Sequence, residues 1–465
     1  MRRGPAVSWV LAAFLLHQRA EANSMVTHVW VAEQAIEAIA PGPLRDIVAD
    51  PALRAVIENG AIYPDSGYAV QHPYGEWAHW ETWLEPYARW IAERYRGEGF
   101  RSPEARRHVA FLMGCAAHAM TDQSFDQYFV PRARQYDRSN ADDLDMSSDV
   151  WLVVEHHVTS SADGQFWFDE MPSLHAATRG PAVTPMVLRE AASRTASATR
   201  FLVRYGYTLY TQRWRQMPWS ASHYFDPDTP GNYPSLVAIT AAYWRSLWGR
   251  LDGTGRPDEP PIASWPREGQ TNFSVDAGDI ETRLVVTTAW GLAPGAVNAD
   301  TVRLLDPDMQ PVAVAVSRYG DEGNTIMVRP NADLRYHTRY TLELSPRLRT
   351  YAGPETGRAH QIHFQTRCAP ERLSECEPLA TPRPTLADPP VATPRPPMLD
   401  AGTGLVTVVD DAGAAPPDGA LVAPTSAAAS GCGCRSAATP TSPSSGGLGA
   451  LAMLLWRRTR RRRAQ

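Results

Sequence analysis

The chemistry this chain could perform is concentrated in histidines and carboxylates spaced along a helix. His118, Asp122 and Asp126 recur at intervals of four within AFLMGCAAHAMTDQSFDQYF, which lines three side chains along one helix face. The run before them, Ala110 to Ala117, is apolar, so the polar groups project into or beside a core. Isolated buried carboxylates are costly. A metal ion is the simplest compensation; a polar helix face behind an apolar anchor is the alternative.

Other segments supply more potential ligands. His28 opens an amphipathic helix in THVWVAEQAIEAI, and ENGAIYPDSGY sets Asp65 after Pro64, read as a turn between helices. HPYGEWAHWETW carries His72 and His79 among aromatic residues. DLDMSSDVWLVVEHHV adds Asp145, Asp149, Glu155, His156 and His157. Nitrogen and carboxylate ligands without Cys suit zinc at an incompletely filled catalytic site.

The order of these motifs resembles the zinc-dependent phospholipase C family, whose all-helical fold is shared with fungal zinc-dependent single-strand nucleases. The matching positions are Thr27-His28, Gly60 through Pro64-Asp65, His79, His118 with Asp122, and Glu155, over about residues 24–250. The resemblance implies an all-α catalytic domain with roughly two to three zinc ions at the base of a cleft. It implies one zinc on Asp65, His79, His118 and Asp122. A second would lie between His28 and Asp122, shared with the mature N-terminal residue. The sequence departs from the family at the third: Asp126 and Trp151 stand where the family has histidines, and the N-terminal Trp ligand is absent. Asp149 and His156, seven residues apart, are the substitutes available beside Glu155. His72 is the alternative to His79.

The implied activity is zinc-dependent phosphodiester hydrolysis with phospholipids as substrate and a membrane surface as partner. Zinc would lower the pKa of a water toward ~7 and bind phosphate oxygens, with Asp65 as ligand and candidate general base. Two other readings of the same fold are a catalytically degenerate surface binding or adhesion protein and a nuclease.

The surrounding chain divides by composition. Arg2 and Arg3, the apolar run Ala6 to Leu16, and Ala20-Glu21-Ala22 read as a secretory signal over 1–22. Residues 24–255 keep helical spacing. Residues 258–367 turn to alternating stretches such as Tyr340-Thr-Leu-Glu-Leu between Pro, Gly, Asn and Asp turns, predicting a small all-β sandwich. VNADTVRLLDPDMQPV, IMVRPNADLRYHTRYTLELSPRLRTYAG and HFQT within it resemble a bacterial Ig-like domain of the S-layer type. That likeness implies a spacer or adhesion module without catalysis, with His337, His360 and His363 as surface or strand residues.

Residues 368–447 are rich in Pro, Ala, Ser and Thr and read as a linker, in which Cys368 and Cys376 could close a disulfide loop. Cys115, within an apolar helical stretch, reads as a small buried hydrophobe. Cys432 and Cys434, an apolar stretch and an Arg tail over 448–465 together resemble the myxobacterial C-terminal sorting signal, which implies anchoring at the outer cell surface.

Composition sets limits. All 45 Lys+Arg residues are Arg, which excludes Schiff-base chemistry and the phosphate-loop lysine. The net charge is −5, yet both ends are Arg-rich, so the body between them is more acidic than the sum suggests. No nucleic-acid partner is expected of an acidic body. His108 is expected to be solvated, His157 exposed, and His175 and His223 structural or at a rim. Trp77, Trp80, Trp83, Trp90, Trp214 and Trp219 read as helix-packing residues.

Overall fold

The computed structural model describes residues 25–375, apart from 139–140, 161, 168 and 321–322. The predicted signal, Cys376, nearly all of the linker, and the Cys432/Cys434 motif with its tail lie outside the described residues. The amino-terminal two thirds of what is described is helical and a two-sheet β-sandwich follows, as the composition predicted.

The helices that frame this region include α1 Met25–Glu37, α2 Arg54–Ala69, α3 Tyr74–Ala78, α4 Glu81–Tyr95, α5 Pro103–Ser124, α6 Ala141–Glu155, α7 Pro185–Tyr205 and α8 Tyr233–Asp252. Local signals set their ends. At α5, Pro103 occupies the first turn and the Ser102 hydroxyl accepts from the Ala105 N–H at 3.2 Å, satisfying a donor the helix leaves unpaired. At α8, Asn232 accepts from the Ser235 N–H and Gly253 ends the helix in the left-handed conformation. Among the described residues no helix is long and apolar enough to cross a membrane.

Helix α5 is central, with α1, α2, α4 and α8 packed around it, and it is buried without a break from His108 to Ser124. Helices α2 and α5 meet backbone to backbone. A Cβ on Gly60 would lie 2.4 Å from the Phe111 carbonyl, and one on Gly114 would lie 2.1 Å from that of Ile57. Only glycine fits at either place.

Three sequence expectations are corrected. Asp65 is inside α2, not in a turn, because the helix runs on through Pro64. A proline removes one backbone hydrogen bond, but burial from Ile57 to Gly67 holds the helix through it. The helix α1, read as amphipathic, buries most of its circumference, including Val26, Val29, Val31, Ala32 and Ala35. His108 is buried, not solvated: Tyr87 Oη lies 2.9 Å from its Nδ1, and the rings of Trp90, Tyr95 and Trp167 surround it.

The β-sandwich contains β1 Ala263–Trp265, β2 Gln270–Phe273, β3 Leu284–Thr287, β4 Val302–Leu305, β5 Pro311–Val312, β6 Val314–Arg318, β7 Thr325–Pro330, β8 Arg339–Leu344 and β9 His360–Thr366. One sheet runs β1-β3-β7-β6 and the other β2-β9-β8-β4-β5. Alternate residues point inward from both sheets, including Leu284, Val286, Val302, Leu304, Ile326, Val328, Tyr340 and Leu342. This period of two is what the alternating sequence required.

The sandwich is docked against the helices. Buried Arg132 bonds Glu281 through Nε and Nη2 at 2.7–3.0 Å. Tyr128 Oη lies 3.1 Å from Thr287 Oγ1, and Ser246 Oγ donates to the Ala289 carbonyl at 3.1 Å. Cys115 is buried with a free thiol, and Cys368 is disulfide-bonded.

Candidate metal centre

Five of the residues read from the sequence converge. His28 comes from α1, Asp65 from α2, His79 from the turn between α3 and α4, and His118 and Asp122 from α5. His28 and His118 are fully buried, and the other three nearly so. Asp122 is the hub: its oxygens lie 3.3 Å from His28 Nε2, 3.4 Å from His79 Nε2 and 3.3 Å from His118 Nε2. Asp65 lies 3.5 Å from His79 Nε2, 3.8 Å from His118 Nε2 and 4.0 Å from His28 Nε2. The rings of His28 and His118 stack with centroids 3.7 Å apart.

Backbone carbonyls aim two of the imidazoles. His118 Nδ1 lies 2.6 Å from the Ala61 carbonyl, a reach made available by the close glycine crossing one residue away. His79 Nδ1 lies 2.5 Å from the Gly75 carbonyl. Each Nδ1–H must donate to its carbonyl, so both Nε2 atoms turn lone pairs toward the cluster, and they are 2.9 Å apart. A proton or a metal ion has to lie between them. Imidazoles oriented from behind in this way are the usual arrangement of metal-ligating histidines.

The electrostatics favour positive charge. Burial disfavours charge on His28 and His79, but the Asp122 and Asp65 carboxylates prevail and raise both pKa values. Burial, joined by the neighbouring His28, lowers that of His118. Burial also works against charge on Asp122, yet His28 and His118 hold its carboxyl well below the usual range. Asp65 Oδ1 and Asp122 Oδ1 are buried and face the imidazole nitrogens of the cluster. Buried carboxylate oxygens that meet three imidazoles and no thiolate fit a zinc ion. Ligand atoms of His28, Asp65 and His118, and of His79, His118 and Asp122, each fall within 4.8 Å of one another.

The remaining predicted ligands face other partners. The helix changes to a π-turn over Phe125–Phe129, which breaks the four-residue register, and Asp126 accepts a hydrogen bond from Tyr319 of the β-sandwich. Asp149 accepts from the N–H groups of Val26 and Thr27 at 3.0 and 2.8 Å and from the Thr27 hydroxyl at 2.8 Å. Its carboxylate thus satisfies first-turn donors of α1 and fixes the residue next to His28. Glu155 accepts from Tyr210 and Tyr224 at 2.8 and 2.5 Å. His156 stacks on Phe225 at 4.2 Å. His79, not His72, reaches the cluster; His72 Nδ1 accepts from the Tyr74 N–H instead.

Sequence reasoning missed the carbonyls of Ala61 and Gly75, the anchoring role of Asp149, and Tyr319. Only the glycine of the Gly60 motif signalled any of this, by marking a close helix crossing. It also missed a second grouping, Glu104, His108 and Glu170. There Arg107 already pairs with Glu170 at 2.9 Å and Tyr95 donates to Glu104 at 2.8 Å.

No curated protein matches the chain detectably. The solved structure of CopC from Methylosinus trichosporium OB3b aligns with 11% identity over 23% of this chain and 93% of that one, at a TM-score of 0.19. The S-layer protein SbsC aligns over 73% of this chain in two structures. Domains 1–6 give 14% identity over 46% of that chain at a TM-score of 0.18, and the N-terminal part gives 13% over 79% at 0.19. Residues 259–366, the β-sandwich, match the bacterial Ig-like domain family.

Proposed function

We propose that this chain is a secreted or surface-anchored zinc-dependent phosphodiester hydrolase acting on phospholipids. The observation that carries the reading is the pair of imidazole Nε2 atoms facing each other at 2.9 Å, each fixed through Nδ1 to a backbone carbonyl, beside two buried carboxylates. His28, Asp65, His79, His118 and Asp122 would hold the metal. Zinc there supplies Lewis acidity toward a phosphoryl oxygen and a lowered pKa for water. Asp65, whose Oδ1 faces the cluster, would accept a proton from attacking water, as the family resemblance implies. The absence of lysine leaves phosphate charge to the metal and to arginine. The phospholipid substrate and the membrane surface rest on the family resemblance of the motifs. Export and anchoring rest on the sequence of the two chain ends, with the Ig-like domain in keeping with them.

A second reading is a zinc-holding surface binding protein without turnover. It is favoured by Asp126, Asp149, Glu155 and His156, which engage other side chains or backbone instead of joining the cluster.

The test is elemental analysis of the purified chain, followed by hydrolysis assays on phosphatidylcholine vesicles, a chromogenic phosphodiester and a single-stranded oligonucleotide. Lipid hydrolysis that a chelator abolishes is the expected result. Less than one zinc per chain overturns the hydrolase reading, and bound zinc without turnover on any substrate favours the binding protein.

A further inference from the structure

The candidate metal centre is built by helices, yet one loop of the Ig-like domain touches two of the four segments that carry its ligands, those of His79 and Asp122. Between β6 and β7, the Tyr319 ring stands edge-on to Trp80 with centroids 5.6 Å apart, and its hydroxyl donates to Asp126. Trp80 directly follows His79, and Asp126 lies four residues beyond Asp122. The same loop is seated closely on either side. A Cβ on Gly320, whose φ is +63°, would lie 2.9 Å from the Trp80 ring, and the Asn324 N–H donates to Gln123 Oε1 at 2.6 Å. Gln123 is the residue after Asp122.

His79 and Asp122 belong to separate elements, so their separation of 3.4 Å depends on what holds those elements together. Tyr319 spans them with one side chain: its ring bears on the first and its hydroxyl on the second. Half-buried, it has an apolar body against indole and a polar tip on a carboxylate.

We propose that Tyr319 is a positioning residue for the metal centre, setting the distance between the His79 and Asp122 segments. The Ig-like domain is then part of the metal-binding unit and not only a spacer. This rests on the zinc reading above. Groups that orient metal ligands typically change affinity about 10–100-fold when removed.

The experiment compares the full chain with Tyr319→Ala, Tyr319→Phe and Glu281→Gln, measuring zinc dissociation constants by chelator competition and thermal unfolding of the metal-free proteins. Glu281→Gln weakens the same interface at its contact with Arg132 and leaves the Trp80 and Asp126 contacts of Tyr319 in place. Expected are a weakening of zinc binding of about 10–100-fold for Tyr319→Ala, a smaller one for Tyr319→Phe, which keeps the ring, and no change for Glu281→Gln. Should Tyr319→Ala fail to fold, Tyr319→Phe carries the test through the hydroxyl alone. Unchanged zinc affinity in the folded Tyr319 variants overturns the proposal, whatever happens to their unfolding temperatures. Equal weakening by Glu281→Gln also overturns it, because docking in general would then be the cause. A wild-type chain that takes up no zinc overturns the zinc reading and this proposal together, whereas bound zinc with an inert Tyr319 overturns this proposal alone.

Discussion

His79 and His118 turn their Nε2 atoms toward each other at 2.9 Å, each with Nδ1 committed to a backbone carbonyl. The backbone fixes the tautomers, so the protein has built a place for positive charge between two imidazoles. His118→Ala removes one of those atoms together with its contact to Asp122. We predict that the variant loses its zinc by elemental analysis, while His72→Ala, outside the cluster, keeps it. Wild-type zinc content in His118→Ala refutes the site.

Asp122 and Asp65 are not equivalent. Asp122 approaches all three histidines within 3.3–3.4 Å, whereas the Asp65 distances run from 3.5 to 4.0 Å. Asp122→Asn therefore removes the charge on which all three imidazoles converge. The expected loss of zinc affinity exceeds about 100-fold, larger than for Asp65→Asn. Chelator competition on both variants checks the order, and a greater loss in Asp65→Asn contradicts it.

How much of this could be read beforehand depends on what each residue needed. The helical and β regions were legible because periods of 3.6 and 2 survive in sequence. His118 and Asp122 were legible because both lie on one uninterrupted helix, where spacing determines direction. Asp126 was not: the π-turn that begins at Phe125 alters the register, and the four-residue spacing gives no warning of it. Asp149 was misread for a different reason. A carboxylate that receives two backbone N–H groups and a carboxylate that binds a metal have the same composition, and only the tertiary position of the α1 N-terminus separates them. Tyr319 could not be found at all, because its partners lie about 200 residues away in another domain.

The glycine crossing makes a sharper test of how the site is positioned. A Cβ at position 60 would approach the Phe111 carbonyl to 2.4 Å, and backbone atoms cannot swing aside. Gly60→Ala must separate α2 from α5, at a typical overpacking cost of about 1–3 kcal/mol. The same separation lengthens the contact from His118 Nδ1 to Ala61. We expect lower stability in urea and weaker zinc binding together; wild-type stability would mean that the helices do not cross as described.

Acid should find its way in through His175. This residue is fully buried, with Nδ1 2.9 Å from the Pro181 carbonyl and Nε2 2.5 Å from the Tyr63 hydroxyl. Nδ1–H donates to the carbonyl and the hydroxyl donates to Nε2, so the neutral ring is already satisfied. A second ring proton would oppose the tyrosine proton, and burial pushes the pKa down to about 4. An unfolded histidine titrates near ~6.5. Between those values the unfolded chain binds a proton that the folded chain refuses, so stability is held above the upper value and lost as pH falls toward the lower one. The full loss is about 3 kcal/mol at 1.36 kcal/mol per unit. His175→Gln is less stable than wild type at pH 7 but lacks this titration. The gap between their urea-unfolding free energies should therefore narrow from pH 7 to pH 4 by up to about that amount. Parallel curves would mean that His175 accepts its proton without unfolding, and that burial and the Tyr63 contact do not hold it neutral.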